Sequence, residues 1–337
     1  MTTSMDFSMY RLPAEDLRRI FEEQIKPGYT GTSRDNPTVV FIAGQPGAGK
    51  TTVESQVVRQ LGREDAVAVD GDDLFLYHPA YDRLAAEDDQ TVRTLLADAA
   101  DEWWMMLAEY IQEQRFDAVI SAPLAGADWA AARFADFHQA GFRVEYVFVA
   151  VHEARSLLAI LDRYQQEKDT SDVGRFVRPE IHDRAYAAVL ATADRLEAEH
   201  LVDAVYVVRR GGEILHHNSL DTAGNWHEPA GLRRAIEKER SRPWTDEERD
   251  HFRQRAQATA ARLGEHLKPA LVDAVRRAVA HRNLAGGRSS TTAAAQAFPS
   301  SRRASLTEEA ALGSTAQGST IGASSTRSTT SDQAVSR

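Results

Sequence analysis

Blocks of apolar residues and blocks of mixed residues alternate along most of the chain. The short blocks are almost entirely apolar, which is typical of strands buried on both faces. The blocks between them place apolar residues every three or four positions, which is typical of amphipathic helices. Strands are predicted at 38–43, 66–70, 117–122, 143–151 and 204–208. Helices are predicted at 13–26, 52–61, 88–114, 128–139, 153–167 and 180–199.

This alternation predicts the fold class. Strands separated by helices form parallel sheets, because a helix returns the chain to the same end of the sheet. We therefore expect an α/β fold with a doubly wound, mostly parallel sheet and helices on both faces. Ligands of such folds bind at the carboxyl ends of the strands.

The pattern changes twice towards the carboxyl end. Residues 229–282 are highly charged and helical in pattern throughout, whereas the residues beyond Leu284 are mainly Ser, Thr, Ala and Gly. Such a tail has too few large apolar residues to offset the entropy of ordering. The predicted domains are a P-loop kinase domain at 1–225, a helical extension at 226–283 and a disordered tail at 284–337.

A phosphate-binding motif follows the first predicted strand. Residues 44–51 match the pattern Gly-x-x-x-x-Gly-Lys-[Ser/Thr], in which glycines let backbone amides surround a triphosphate. Lys50 is expected to reach the β- and γ-phosphates, and the Thr51 hydroxyl to bind Mg²⁺. The motif places the fold among the P-loop NTPases. The predicted nucleotide-binding residues are Gly44, Gln45, Pro46, Gly47, Ala48, Gly49, Lys50, Thr51 and Thr52.

An acidic segment ends the second predicted strand. In P-loop kinases this strand end lies beside the γ-phosphate, where an aspartate can accept the proton of an attacking hydroxyl. Asp72 is therefore the candidate general base. The alternative is that Asp72 or Asp73 caps the helix that follows.

Three features together resemble the zeta toxin family: the loop at 44–51, the Asp70-Gly71-Asp72 segment followed by His78-Pro79, and Asp162-Arg163-Tyr164. The resemblance covers about residues 10–220. Members of this family are the toxins of epsilon/zeta systems and use ATP to phosphorylate the sugar 3'-hydroxyl of UDP-N-acetylglucosamine. The resemblance implies ATP (or GTP) and Mg²⁺ as cofactors, Asp72 as base and an antitoxin protein as partner.

Two arginines extend the resemblance. Arg163 corresponds to the first phosphate-contacting arginine of the family, and Arg175 to the second, with Arg178 as the replacement if Arg175 is misplaced. Arginines at the γ-phosphate stabilise the charge that spreads over the equatorial oxygens in the transition state. The predicted catalytic residues are Lys50, Asp72, Arg163 and Arg175.

The chain departs from the family where the acceptor should bind. After the third strand the family has Glu-Gly-Thr, whereas this chain has Ser121-Ala122-Pro123. Phe75 replaces a basic residue three positions after the catalytic aspartate. Asp128 could supply the missing carboxylate or could cap a helix. These departures leave two alternatives open: a kinase for another small-molecule hydroxyl, such as an antibiotic or metabolite, and a catalytically decayed nucleotide-binding protein.

Composition excludes several other classes of function. The net charge of −10 argues against a nucleic-acid partner, because neutralising phosphates requires a basic surface. The chain has no cysteine, so disulfides and thiolate metal sites are excluded. Neither a secretory signal nor a membrane-spanning apolar run is recognisable. We expect a cytoplasmic protein.

Overall fold

The computed structural model describes residues 7–60, 62–122, 124 and 126–280. Within them a mixed sheet has the strand order β2-β3-β1-β4-β5-β6, and only β6 is antiparallel to its neighbour. The strands are β1 (Thr38–Ala43), β2 (Val67–Asp70), β3 (Ala118–Ser121), β4 (Arg143–Ala150), β5 (Ala204–Arg209) and β6 (Ile214–Ser219). The five predicted strands are confirmed.

Helices cover both faces of this sheet. They are α1 (Ala14–Ile20), α2 (Lys50–Gln60), α3 (Tyr81–Glu87), α4 (Val92–Leu95), α5 (Ala97–Gln114), α6 (Ala127–Gln139), α7 (Glu153–Ser171), α8 (Pro179–Ala198), α9 (Leu232–Ser241), α10 (Asp246–Arg262) and α11 (Lys268–Ala280). A π-helical turn at Phe21–Ile25 continues α1, and a 3₁₀ helix at Gly71–Tyr77 follows β2. The α/β fold expected from the sequence is confirmed.

Alternate residues of β1 enter opposite cores, which explains why this strand is apolar throughout. Phe41 packs edge to face on Phe134 and Phe137 of α6, with ring centroids 5.0 and 5.6 Å apart. Val40 and Ile42 face a second cluster that includes Val53 of α2. Fully burying each such side chain contributes about 1.5–3 kcal/mol. The two cores fix β1 in the centre of the sheet.

The register of the sheet places the carboxyl ends of β1, β2 and β3 next to one another. Ser121 at the end of β3 pairs with Ile42 of β1 on one side and with Asp70 of β2 on the other. Because parallel strands end at the same edge, the loop after β1 and the acidic segment after β2 emerge side by side. This edge is where the sequence places the nucleotide.

The helix predicted over 88–114 is interrupted in the structure. The side chain of Asp88 accepts hydrogen bonds from the Gln90 amide (2.9 Å) and the Thr91 hydroxyl (2.8 Å). Such local bonds compete with helical hydrogen bonds, so residues 88–91 are not helical. The predicted helix is instead divided into α4 and α5, which are separated at Leu96. The interruption turns Gln90, Arg93 and Thr94 towards the carboxyl edge of the sheet.

The extension predicted at 226–283 is helical over α9, α10 and α11. Trp244, Phe252 and Leu271 belong to one hydrophobic cluster with Leu158 and Leu161 of α7. A capping box begins α10, in which Thr245 and Glu248 bond each other's backbone amides at 3.2 and 2.9 Å. Residues 284–337, predicted to be a disordered tail, lie outside the described residues.

Across the described ranges, no helix has the length and apolar character needed to cross a membrane.

Candidate active site

The loop that joins β1 to α2 has the backbone geometry of a phosphate-binding loop. Gly44, Gly47 and Gly49 have φ values of +148°, +75° and +93°, a region that side chains with a Cβ rarely adopt. At Gly47 the space is closed as well, because a Cβ there would lie 2.2 Å from the carbonyl oxygen of Ser156. Glycine at this position lets the loop lie directly on α7.

The side chains of Gln45 and Ala48 attach the phosphate-binding loop to the protein interior. The buried Gln45 amide donates hydrogen bonds to the Val151 carbonyl (3.0 Å) and the Ser156 hydroxyl (3.2 Å). Its oxygen accepts a hydrogen bond of 2.9 Å from Arg240 of α9. The Ala48 methyl lies in the core beside α2. Gln45, predicted to bind nucleotide, therefore faces the protein interior with its side chain.

A cavity of about 500 Å³ lies above the loop at the carboxyl edge of the sheet. Its walls are formed by the strand ends, by α4, α7 and α8, and by α10 of the extension. Of the residues predicted from the sequence, those that line it are Pro46, Gly47, Gly49, Lys50, Thr51, Thr52, Asp72 and Arg163. The structure therefore brings the phosphate-binding loop, the candidate base and one candidate arginine together.

Lys50 lies at the base of this cavity and donates a 3.2 Å hydrogen bond to the carbonyl oxygen of Gly44. Burial lowers the pKa of Lys50, while the nearby Asp72 and Asp70 oppose that shift. A buried ammonium group with little compensation favours an anionic ligand. The position suits the β- and γ-phosphates of a nucleotide.

Asp72 is not the residue that caps the helix after β2. The Asp70 carboxylate does so, accepting a 2.9 Å hydrogen bond from the Asp72 amide, and the Asp72 side chain is left to line the cavity. Burial opposes ionisation of Asp72, but Arg93, Lys50 and Arg163 outweigh it, so the pKa of Asp72 lies below its usual range. The group is a carboxylate at neutral pH and can accept a proton.

Arg93 of α4 is a site residue that the sequence analysis did not identify. Its guanidinium forms an ion pair with Asp72 and lies 4.6 Å from the centroid of the Phe75 ring. Stacking on Phe75 thus supports a cation beside the base, although position 75 itself lacks the basic residue of the family. Arg93 belongs to no motif, and only the interruption of the helix at 88–91 brings it to the site.

The two candidate arginines differ in their placement. Arg163 of α7 lines the cavity, and burial together with Arg175 lowers its pKa. The Arg175 guanidinium instead bonds Glu167 at 2.7 and 2.8 Å and is not among the lining residues. Arg178, at the start of α8, lines the cavity. Within the described ranges it forms no ion pair, so the structure favours Arg178 over Arg175 as the second cation.

A carboxylate of another element bonds Ser121, which stands where the family resemblance predicts a glutamate. The Ser121 hydroxyl donates a 2.9 Å hydrogen bond to Glu54 of α2. Burial raises the pKa of Glu54. Asp128 is almost fully exposed on α6 and pairs with Arg195, so it does not replace the missing glutamate.

His182 has a structural environment rather than a catalytic one. The ring is fully buried, with Nε2 2.7 Å from the Ser156 hydroxyl and Nδ1 2.9 Å from Asp183. Arg277 of α11 bonds both oxygens of Asp183 at 2.7 Å. This chain of contacts ties α7, α8 and α11 together beneath the phosphate-binding loop.

The cavity offers a small donor set for a metal ion. Among the described residues, no group of three or more His, Asp or Glu side chains could hold an ion alone. Mg²⁺ bound with a nucleotide needs only one or two protein oxygens, because phosphates and water supply the rest. Thr51 and Asp70 both line the cavity, so this site fits a nucleotide-bound magnesium ion.

The sequence is similar to that of a known protein family. A family described as zeta toxin matches residues 23–221. Toxin zeta of Enterococcus hirae is 21% identical over 189 residues, or 56% of this chain and 65% of the relative, so the match spans less than two thirds of that protein. Toxin PezT of Streptococcus pneumoniae serotype 4 is 22% identical over 191 residues, which cover 56% of this chain and 75% of the relative.

The fold also matches a solved structure from a study of the PezAT chromosomal toxin-antitoxin system of Streptococcus pneumoniae. The TM-score is 0.64 at 16% sequence identity, and the match covers 74% of this chain and 99% of the other. At this identity the likeness supports the fold.

Proposed function

Because this chain belongs to the zeta toxin family, we propose that it is a kinase that transfers the γ-phosphoryl group of ATP to a hydroxyl of a small molecule. One observation carries the proposal: Lys50, Asp72 and Arg163 line one cavity directly above a phosphate-binding loop. Phosphoryl transfer needs little covalent chemistry from a protein, and positioning with charge stabilisation accounts for most of the rate. These three side chains supply both.

Each residue has its own role in the proposed reaction. The amides of Gly47 and Gly49 surround the phosphates, and Lys50 contacts the β- and γ-phosphates. Thr51 and Asp70 would hold Mg²⁺, which neutralises phosphate charge when it is bound. GTP would meet the same phosphate contacts as ATP.

The chemical step is an in-line displacement. The acceptor oxygen forms a bond to the γ-phosphorus as the bond from that phosphorus to the β–γ bridging oxygen breaks, and ADP leaves. Asp72 accepts the proton of the hydroxyl. Arg163 and Arg178 lie on the cavity wall, where they stabilise charge on the transferring group. Arg175, the second arginine of the sequence prediction, bonds Glu167, and that carboxylate also lies 4.0 Å from Arg163.

The proposed acceptor is the sugar 3'-hydroxyl of UDP-N-acetylglucosamine. Membership of the family supports it. A different small-molecule hydroxyl is the second candidate, and Ser121 bonded to Glu54 favours it. Ser121 stands where the family has the first residue of Glu-Gly-Thr.

A protein partner is part of the proposal. The solved relative comes from a study of a toxin-antitoxin system, and we propose that an antitoxin restrains this chain as well. A kinase that consumes a cell-wall precursor in the cytoplasm would harm the cell that makes it. An antitoxin that covers the nucleotide cavity would prevent this.

Mass spectrometry of reaction mixtures tests the acceptor. The full chain is incubated with ATP, Mg²⁺ and one acceptor at a time: UDP-N-acetylglucosamine, UDP-glucose or free N-acetylglucosamine. A singly phosphorylated UDP-N-acetylglucosamine as the main product would support the proposal. Nucleotide binding without any phosphorylated product or ADP would instead support the catalytically decayed alternative.

A further inference from the structure

A second group of cations lines the cavity away from Lys50 and Asp72. Arg210 follows β5 directly, and Arg255 extends from α10 of the helical extension. The Arg210 side chain lies against the phosphate-binding loop, with Nε 2.9 Å from where a Cβ of Gly49 would be. Neither arginine has a role in the reaction described above.

The charge of Arg210 is only partly compensated, because Asp162 opposes the fall in its pKa without bonding it. Arg255 bonds Asp162 at 2.7 Å, and the neighbouring Arg155 bonds Glu248 at 2.8 Å. Across the described ranges Arg210 has no such carboxylate partner, and burial next to Arg255 and Arg155 lowers its pKa to about 10. A poorly solvated cation without a bonded counter-ion is costly. An anionic ligand at this point would remove that cost.

The cavity therefore has two cationic regions. Asp72 is surrounded by the charges of Arg93, Lys50 and Arg163, whereas Arg210 is surrounded by those of Arg255, Arg155 and Asp162. A triphosphate bound by Lys50 has its γ-phosphate in the first region. Its other end, with the α-phosphate, ribose and base, remains to be placed, and Arg210 borders the loop that holds the phosphates.

We propose that Arg210 and Arg255 form the subsite for the nucleoside half of the triphosphate. Arg210 bonds the α-phosphate, and the planar guanidinium of Arg255 covers the ribose and base. Guanidinium groups suit both contacts, because they bond phosphate oxygens and stack on flat rings. The inference rests on the proposed function, and it makes α10 of the extension part of the nucleotide site.

Binding measurements on the full chain test this subsite. Arg210→Gln and Arg255→Gln are compared with Arg253→Gln, an exposed position on α10 that pairs with Asp250. The ligands are ATP and inorganic tripolyphosphate, which has the phosphates without the nucleoside. Isothermal titration calorimetry gives the dissociation constant of each ligand for each variant.

Arg210→Gln is expected to weaken ATP binding by about 10- to 100-fold, the range for loss of a charge-assisted hydrogen bond. Arg255→Gln should weaken it in the same direction, and Arg253→Gln should not change it. Tripolyphosphate should bind the Arg255→Gln variant as it binds the wild type, which also shows that this variant is folded. Arg210→Lys should recover part of the ATP affinity.

Two results would contradict the proposed nucleoside subsite. ATP binding that is unchanged in both variants would remove the arginines from the nucleotide site. An equal loss of ATP and tripolyphosphate binding in Arg255→Gln would show a contact to the phosphate chain and not to the nucleoside. A wild-type chain that binds neither ligand would contradict the proposed function itself, so the two failures are distinguishable.

Discussion

Arg93 and Asp72 form an ion pair across the candidate active site, joining a short helix to the segment after β2. The pair does two things for a general base. It keeps the carboxylate ionised, and it fixes the direction in which the carboxylate faces. Removing the arginine therefore has a specific consequence for the pH dependence of the reaction.

Replacing Arg93 with Gln should move the acid limb of the kcat/KM profile to higher pH. Burial raises the pKa of Asp72, and Arg93 is the first of the cations that bring it below its usual range. Without Arg93 the pKa rises, so the base is protonated at a higher pH and activity at pH 5 falls more than at pH 8. The profile is measured beside Arg83→Gln, an exposed position paired with Glu87. Coincident acid limbs in the two variants would count against Asp72 as the titrating base.

The same shift has a consequence for stability. A carboxyl whose pKa is depressed in the folded state contributes stability above its unfolded pKa and loses it as the pH falls through the folded pKa. The stability of the wild type should therefore decrease more steeply with acid than that of Arg93→Gln. Urea midpoints between about pH 2 and 5 measure the difference.

Arg178 should matter more than Arg175 for turnover. The Arg175 guanidinium is committed to Glu167, whereas Arg178 lines the cavity without an ion pair among the described residues. Arg178→Ala should lower kcat by about 10³-fold, the lower end of the effect of a transition-state arginine. Arg175→Ala should lower it less. If Arg175→Ala has the larger effect at saturating ATP, the pairing with Glu167 opens in the reacting complex and the sequence prediction for Arg175 is correct.

Gly47→Ala should disrupt the phosphate-binding loop. The added Cβ would lie 2.2 Å from the Ser156 carbonyl oxygen, so the loop must shift, and displacements near 1 Å can cost about 10²-fold in rate. Gly62→Ala is the matched control. Gly62 also has a positive φ, +66°, but a Cβ added there would have no atom within 4 Å. Equal nucleotide affinity in the two variants would show that contact with α7 does not shape the loop.

Arg240→Gln should destabilise the whole domain. Arg240 is 4% exposed, donates 2.9 Å hydrogen bonds to Gln45 and the Tyr186 carbonyl, and lies 3.7 Å from the Tyr186 ring centroid. Losing these contacts should cost about 2–3 kcal/mol and lower Tm by roughly 3–5 °C. Arg233→Gln, on the exposed side of the same helix, should leave Tm nearly unchanged. A small effect of Arg240→Gln would mean that α9 does not support the loop.

The sequence predicts the fold, and it places Lys50 and Asp72 at one candidate site, because both depend on local patterns. Continuous apolar strands such as β1 require burial on both faces, and the spacing of Gly44, Gly49 and Lys50 specifies a loop geometry. Asp72 follows from its position at a strand end. These features need no knowledge of distant contacts.

Other parts of the site depend on packing that no local pattern shows. Arg93 reaches Asp72 because Asp88 interrupts a helix, and Arg255 reaches the cavity from a helix far along the chain from the phosphate-binding loop. Gln45 stands within the motif, yet its side chain is drawn inward by Arg240. Arg210 could have been suspected, since it follows an apolar strand at the carboxyl edge of the sheet.

The most direct test of the account measures transfer of labelled γ-phosphoryl from ATP to UDP-N-acetylglucosamine by the wild type, Asp72→Asn and Asp73→Asn. Asp73 is the exposed neighbour of Asp72 and controls for local charge. Transfer by the wild type and Asp73→Asn is expected, with a loss of about 10²- to 10⁴-fold in Asp72→Asn, the range for a general base. Transfer by Asp72→Asn at the wild-type rate would contradict the role of Asp72 as the base.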